Sequence, residues 1–352
     1  TLRAPERGFT MKRVGRIAGN AARTLALPVV MFVVLFILSK AFGTGQFGSL
    51  ASLRSVAQQT MMAAAIALAM TCNMKNGRWD FSIGMMTVMS SIIGGAIGQA
   101  LNIGAFGLLI GCVIVAVIAS AVNGLLYVTM KVPTLVISIG AMLVYESVNM
   151  VFNKGGGARV SDFTWLIFGR SPYVFILGLA AGLVFYVLYT HTIFGYNVRS
   201  LSSNQALATS TGINEKRNVM GCYLLCCLMV GVAGTINLST TGSVLADVKF
   251  NGAMSMMFEA FPPVFIGFYL SQYTNLTVGV FVGAFSMKLL TAGMLALGIP
   301  AALQNVGVGL FLLIFIAFTT NQEKLREMRH IRERIAKVSA LVAQGDEPAT
   351  QR

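Results

Sequence analysis

Long apolar runs separated by short polar segments dominate the chain. Each run is close to the roughly 20 residues that a helix needs to cross about 30 Å of hydrocarbon. The pattern therefore predicts an all-α polytopic membrane protein of about ten transmembrane helices. The predicted spans cover residues 25–42, 50–72, 81–101, 104–130, 133–152, 172–191, 218–240, 253–270, 274–296 and 301–320.

Polar sequence at the two ends divides the chain into three parts. Residues 1–24 are predicted to form a basic tail, 25–320 the transmembrane domain, and 321–352 a tail with apolar residues three and four positions apart. That spacing is typical of an amphipathic helix. Within the transmembrane domain, 153–171 is predicted as an outer loop and 196–217 as a cytoplasmic segment.

Composition supports a membrane protein. Hydrophobic residues make up 56% of the chain and charged residues only 11%, whereas soluble domains carry about 25% charged residues. The net charge of +14 would suggest nucleic acid binding in a soluble protein. Here most basic residues lie in the tails and in alternate short loops. The positive-inside rule therefore predicts that both ends are cytoplasmic. Because topology accounts for the charge, we expect no nucleic acid partner.

Motifs that would indicate catalysis are absent from the sequence. It has no GxxxxGKS or GxxxxGKT loop for ATP, no HExxH and no GxSxG. Its two histidines form no metal-binding pattern with the cysteines, which we interpret as small buried side chains: Cys72, Cys112, Cys222, Cys226 and Cys227. We therefore expect neither an enzyme nor a resident metal or cofactor.

Polar residues inside the predicted spans are the candidates for function. Glu146 lies near the middle of the fifth span, where an ionised carboxylate costs about 2.5 to 3.5 kcal/mol. Ser138, Met142 and Asn149 share its helix face. Two interpretations remain open, a carboxylate that lines a watery path and a protonated carboxyl with a structural hydrogen bond.

Two further places interrupt apolar sequence. Asp80, followed by Ser82, can cap the third span, and capping alone explains these residue types. Glu259 lies beside Pro262 and Pro263, a pair that we expect to break the eighth helix and to expose backbone groups to a pathway. The residues predicted to line a substrate path are Gln58, Gln59, Asn73, Asp80, Ser82, Ser138, Glu146, Asn149, Glu259 and Phe261.

Small residues four positions apart recur in the spans. In lipid, close backbone approach through such pairs supplies helix packing. The pairs predict a tightly packed bundle rather than a particular function: Gly94 and Gly98, Gly107 and Gly111, Gly178 and Gly182, and Gly279 and Gly283.

The cytoplasmic segment 196–217 is small, polar and predicted to form one compact helix that ends at Gly212. Its part from Asn204 to Asn214 resembles "GNExAARLSGIN" of the membrane subunit of ribose-type carbohydrate ABC importers. In that family this is the coupling helix, which docks on the ATPase. The resemblance assigns that role to Ser203, Asn204, Gln205, Ala206, Ala208, Thr209 and Gly212.

Other motifs extend the resemblance over nearly all of the membrane part. Residues 77–84 are similar to "GGIDLSVG", 123–125 to "NGLLV", 132–140 to "VPPFIVTLG" and 231–234 to "GLAG". Arg78 replaces the second glycine of the first motif.

Residues 257–274 correspond to the family stretch "ELDAIAAVVIGGTSLSGG" but lack its glycine-rich end. These departures suggest that the chain is one of two unlike permease subunits.

The resemblance implies an ABC importer permease fold in a bacterial cytoplasmic membrane. It implies import of a ribose-type monosaccharide together with ABC ATPase subunits, a second permease subunit and an extracytoplasmic sugar-binding protein. ATP and magnesium would be held by the ATPase. The alternatives are the same architecture importing nucleosides or a furanose signalling molecule, a secondary transporter that uses Glu146, Glu259 and Lys288 for ion coupling, and a scaffold that transports nothing.

Overall fold

The computed structural model describes residues 7–43, 47–130, 132–246 and 251–345, which are almost entirely helical. The third span contains one π-helical turn, Ser90–Gly94, and two 3₁₀ helices, Phe152–Gly155 and Phe163–Gly169, follow α6. The α-helices are α1 (Arg7–Phe42), α2 (Leu50–Lys75), α3 (Ile83–Met89), α4 (Gly95–Leu101), α5 (Ala105–Met130), α6 (Thr134–Val151), α7 (Tyr173–His191), α8 (Ile193–Ser203), α9 (Gln205–Ser210), α10 (Glu215–Thr241), α11 (Asn251–Leu270), α12 (Leu276–Ala296) and α13 (Ala301–Gly345).

The all-helical prediction is confirmed for the described residues. Nine helical segments among them are long and apolar enough to cross a membrane: Gly19–Phe42, Leu50–Lys75, Ile83–Leu101, Ala105–Met130, Thr134–Gly155, Tyr173–His191, Glu215–Thr241, Leu276–Ala296 and Leu303–Asn321. Each corresponds to one predicted span. The remaining prediction, 253–270, corresponds to α11, in which Met256–Leu270 forms a shorter apolar helix.

Both predicted tails continue neighbouring helices. α1 begins at Arg7, within the predicted tail 1–24, and α13 continues beyond residue 321 to Gly345. Residues 1–6 and 346–352 of the predicted tails lie outside the described residues. By compactness, residues 1–304 form one unit and residues 305–352 a second.

The predicted break at Pro262 and Pro263 is wrong. α11 runs through both prolines as one helix, although each proline lacks the N–H that would bond to the preceding turn. The neighbouring helix α12 lies very close here, since a Cβ on Gly283 would lie 2.7 Å from the carbonyl oxygen of Pro263. Neighbouring helices allow proline within a membrane helix in this way.

Two of the predicted glycine pairs pack against each other. Gly98 meets Gly107 so closely that a Cβ on Gly98 would lie 2.6 Å from the Gly107 carbonyl oxygen, and Gly94 and Gly111 meet in the same way. The contact joins the third span to α5 backbone to backbone. It confirms that small residues set the helix spacing at this position.

The π-helical turn occurs where the third span also contacts α10. Ser90 donates a hydrogen bond from Oγ to the carbonyl of Cys112 at 2.9 Å, and Ser91 donates one to the carbonyl of Gly234 at 3.0 Å. Both side chains are fully buried. These bonds tie the third span to both α5 and α10.

The predicted outer loop 153–171 is ordered and covers one end of the bundle. Its strand β1 (Ala158–Arg159) pairs antiparallel with β2 (Ser243–Val244), which follows α10. Behind the strands, buried apolar side chains from the loop, α5 and α10 form one cluster: Leu108, Ala158, Val160, Leu166 and Leu238.

Candidate functional site

A cavity of about 380 Å³ lies between α2, α10, α11 and α12. This volume is near the lower end of the roughly 300–1,000 Å³ that ligand pockets occupy. Its polar lining residues are Ser55, Gln58, Gln59, Thr240, Glu259 and Lys288, and its apolar ones include Met62, Ala63, Ile66, Ile236 and Ala260. The cavity therefore combines hydrogen-bonding groups with apolar wall in a space suited to a small ligand.

An ion pair crosses the cavity wall. Lys288 of α12 donates a hydrogen bond from Nζ to Oε2 of Glu259 on α11 at 2.6 Å. The side chains of Lys288 and Glu259 are 19% and 38% exposed, so neither charge is sealed in the bundle. The sequence places Glu259 among the predicted path residues, whereas Lys288 enters only the ion-coupled alternative, although a lysine within a span is itself a signal of function.

A second cavity of about 490 Å³ adjoins the first. Ser55 and Gln59 line both cavities, and Gln59 donates a hydrogen bond from Nε2 to Ser55 Oγ at 3.3 Å. The second cavity extends to Phe47 and Ser49, just before α2. Three of the predicted path residues, Gln58, Gln59 and Glu259, thus line the same cavity.

Asp80 and Ser82 lie elsewhere, in a buried hydrogen-bond network. Oδ1 of Asp80 accepts from the backbone N of Ser82 at 2.9 Å and from its Oγ at 2.6 Å. Asn123 donates to Ser82 Oγ at 2.6 Å, and Tyr145 donates to Asn123 Oδ1 at 2.7 Å. The network joins the α2–α3 loop to α5 and α6.

Burial governs the chemistry of Asp80, which precedes the third span. Burial raises the pKa of this carboxyl above its ordinary value, and the hydrogen bonds from Ser82 act in the opposite direction. Ser82 is the N-cap residue of α3 but makes no side-chain capping bond. The capping interpretation is therefore modified, because Asp80 takes the amide of Ser82 while the Ser82 hydroxyl is shared with Asn123.

Asn73, Ser138 and Asn149 also lie away from the two cavities described above. Ser138 donates to the carbonyl of Trp79 at 3.3 Å, and Asn149 contacts Met85 Sδ at 3.4 Å through Nδ2. Neither polar side-chain atom of the buried Asn73 has a partner among the described residues. Ser138 and Asn149 thus connect α6 to the α2–α3 loop and to α3, whereas Asn73 belongs to α2.

Phe261 belongs to an aromatic cluster rather than to the cavity lining. Its ring centroid lies 5.7 Å from that of Trp79, 5.8 Å from Phe81 and 5.9 Å from Phe258. Phe261 is buried. The cluster connects the α2–α3 loop to α11, on which Glu259 also lies.

Glu146 lies on the face of α6 that its spacing predicts. Ser138, Met142, Glu146 and Asn149 are all buried, whereas Leu143 and Val144 between them are exposed. No described residue forms a hydrogen bond with the side-chain carboxyl of Glu146. Its carboxyl therefore lies inside the bundle without a structural partner among the described residues.

Up to Gly212, the segment 196–217 contains parts of two helices, α8 and α9, instead of one. Residue Asn204 separates α8 from α9, and its Oδ1 accepts from the backbone N of Leu207 at 3.0 Å, which caps α9. Gly212 has a φ of +92°, a value that favours glycine. The residues from 203 to 212 that are exposed include Ser203, Asn204, Gln205, Ala206, Leu207, Thr209 and Gly212.

Ala208 must be removed from the predicted docking surface. Only 5% of it is exposed, because successive positions of a helix turn about 100° and this one faces the protein. Leu207, which sequence reasoning omitted, is 62% exposed. It is a large apolar side chain in an otherwise polar and small-residue segment.

Arg78 joins the α2–α3 loop to the end of the same segment. Its Nη1 lies 3.8 Å from Oε1 of Glu215, the first residue of α10, and its guanidinium lies 5.6 Å from the ring centroid of Tyr127. Trp79, the next residue, packs on Phe261. The loop thus contacts both the segment at 196–217 and the helix that carries Glu259.

Comparison with known proteins identifies one family. Residues 52–317 match the family described as branched-chain amino acid transport system / permease component. The ribose import permease protein RbsC of Escherichia coli K12 is 24% identical over 84% of this chain and 92% of its own.

Two other relatives have similar identities. The galactose/methyl galactoside import permease protein MglC of Escherichia coli K12 is 22% identical over 82% of this chain and 91% of its own. The autoinducer 2 import system permease protein LsrC of Photorhabdus luminescens is 23% identical over 78% and 83%.

A solved structure described as an inward-facing conformation of a metal-chelate type ABC transporter has the same fold. It matches with a TM-score of 0.50 and 10% identity, over 86% of this chain and 99% of its own.

Proposed function

The chain belongs to the branched-chain amino acid transport system / permease component family, and from this we propose that it imports a sugar of monosaccharide size. It is a multi-pass membrane protein and a permease component, not an ATPase. In the proposal the chain lies in the bacterial cytoplasmic membrane and forms half of a permease pathway. Uptake through this pathway is driven by ATP and depends on a binding protein.

The cavity between α2, α10, α11 and α12 carries the proposal. A monosaccharide presents hydroxyl groups and apolar C–H faces, and the cavity offers two amides, two hydroxyls and an ion pair beside apolar wall. Polar groups that converge in a small apolar-walled pocket are typical of ligand sites. The names of the relatives, which import ribose and galactose, agree with this chemistry.

The proposed topology has ten spans, with α11 as the eighth, and both ends in the cytoplasm. It puts α8 and α9 on the cytoplasmic side, where they dock on an ATPase that holds ATP and magnesium. Closure of the ATPases would move α9 and, through Glu215 and Arg78, the α2–α3 loop. The aromatic cluster would pass that motion to α11. ATP drives such a cycle only through different affinities for the outward- and inward-facing states.

A second cargo class is supported by one relative. The similarity to an autoinducer 2 import permease favours a furanose signalling molecule, and nucleosides present comparable hydroxyl groups. Ion-coupled secondary transport is less compatible with the family. It is also less compatible with the contact between Glu259 and Lys288, which neutralises two of its three proposed charges.

One purification tests the proposed function. The complex is isolated through this subunit, its components are identified, and ATPase activity is measured with D-ribose, D-galactose, D-fructose, nucleosides and autoinducer 2. We expect an ABC ATPase, a non-identical permease subunit and stimulation by a sugar in the presence of its binding protein. Stimulated activity without a second type of permease would contradict the heterodimer, and the absence of any ATPase would contradict the function.

Glu146 provides a prediction of its own. We propose that it lines the path, and we expect Glu146→Gln to keep the membrane yield but to change the uptake rate severalfold, because Gln keeps the size of the side chain and puts an NH2 group in place of one carboxyl oxygen. Glu146→Leu should also keep its yield, since no described hydrogen bond depends on the carboxyl. Uptake of several labelled sugars is the measurement. A Gln variant with unchanged uptake of all of them would exclude the path-lining role.

A further inference from the structure

The ion pair between Glu259 and Lys288 is unusual in its position. Charged side chains within membrane spans are costly and face the bundle interior or a watery cavity. This pair bridges α11 and α12 at 2.6 Å and lines the cavity with both partners. Both side chains therefore keep contact with the cavity instead of being enclosed between the two helices.

Both partners retain hydrogen-bonding capacity. An ammonium has three donors, and a carboxylate has about four acceptor sites. Within the described residues, the side chains of Lys288 and Glu259 use one donor and one acceptor on each other and make no other hydrogen bond. The remaining groups are available to a ligand in the cavity, together with the amide of Gln58.

Charge balance limits which ligand fits. An anionic ligand that approached Lys288 would meet the carboxylate of Glu259 beside it, and a cationic ligand that approached Glu259 would meet the ammonium. Like charges placed together in a partly buried site are disfavoured. A neutral polyhydroxylated ligand can use both groups without separating the pair.

We infer that the Glu259–Lys288 pair determines specificity by admitting neutral polyhydroxylated ligands and excluding those with an unbalanced charge. The inference rests on the proposed function and adds the charge class of the cargo. It assigns Lys288 a role in ligand selection in addition to its link between two helices. Removing either charge should therefore change which ligands enter the cavity, and not only the stability of the protein.

Cavity occupancy can be measured directly through a cysteine at Ser55, which lines both cavities. In the purified complex, Ser55→Cys is labelled with a maleimide while ligands compete for the cavity. All five native cysteines are buried, so the engineered thiol should dominate the signal. Three hexose probes of matched shape differ in charge: neutral D-galactose, anionic D-galacturonate and cationic D-galactosamine.

With the pair intact, D-galactose should give half-protection at a concentration at least tenfold lower than either charged probe. Glu259→Gln leaves the ammonium unpaired and should improve protection by D-galacturonate at least tenfold. Lys288→Met should do the same for D-galactosamine. The exchanged variant, Glu259→Lys with Lys288→Glu, keeps the charge balance and should again prefer D-galactose.

The inference is overturned if D-galacturonate or D-galactosamine protects the intact pair as well as D-galactose does. It is also overturned if folded single variants keep the original preference. If the single variants fail to fold, two measurements still decide the question. They are the comparison of the three probes with the native pair and the same comparison with the exchanged variant. If D-galactose, D-ribose and D-fructose all give no protection, the proposed sugar function fails instead.

Discussion

Leu207→Asp is expected to abolish uptake while the protein still inserts and folds. Leu207 is 62% exposed on α9, so the folded subunit tolerates a charge there. Against the ATPase, however, the new carboxylate would lose its water without gaining a partner. Loss of a central apolar anchor of an interface costs about 2 kcal/mol or more, which corresponds to an affinity about thirtyfold weaker.

The measurement is ATPase copurification together with sugar uptake at matched membrane yield. Leu207→Met is the conservative control and should keep both. Ala208→Asp, one position further along, should behave differently and lower the membrane yield, because Ala208 is buried within the subunit. Normal copurification and uptake in Leu207→Asp would show that the ATPase docks elsewhere.

The second large effect is expected from Gly98→Ala. The added Cβ would lie 2.6 Å from both the carbonyl oxygen of Gly107 and the Cα of Leu108. These are backbone atoms, so the third span and α5 must move apart. Overpacking of this kind typically costs 1–3 kcal/mol, and loss of the close helix contact in lipid adds to it. We expect a clear fall in folded yield and in thermal stability.

Gly140→Ala is the matched control. Gly140 is also helical, in α6, but it is exposed and a Cβ there would meet no atom within 4 Å. Alanine has a higher helix propensity than glycine by about 1 kcal/mol, so stability should be unchanged or slightly higher. Both variants are compared by the fraction that stays monodisperse after heating in detergent. Equal survival of the two would contradict the close packing of the glycine pairs.

The helices were predictable because lipid requires every backbone polar group to bond within its own segment. Apolar runs of sufficient length therefore identified each span, and the helical period placed Ser138, Met142, Glu146 and Asn149 on one buried face. The same reasoning failed for α11. Its prolines break a helix in isolation, but the close approach of Gly283 in α12 depends on packing that local sequence does not contain.

The candidate site was less predictable because its parts come from different helices. Glu259 and Lys288 lie 29 positions apart, and nothing local in the sequence indicates that they meet. Sequence reasoning also placed Asp80 and Ser82 on the path, yet the structure brings them together with Asn123 in a separate buried network. Resemblance to the importer family indicates the segment around α9. Only the orientation of that helix in the structure shows that Leu207 is exposed and Ala208 is buried.

The most direct test of the central claim is uptake into proteoliposomes that contain the complete complex and its binding protein. A radiolabelled sugar that stimulates the ATPase is supplied outside, with ATP in the compartment that the ATPases face. The account predicts accumulation that requires ATP, stops when the ATPase is inactivated and is insensitive to a protonophore. Accumulation that continues without ATP and collapses with the protonophore would contradict it.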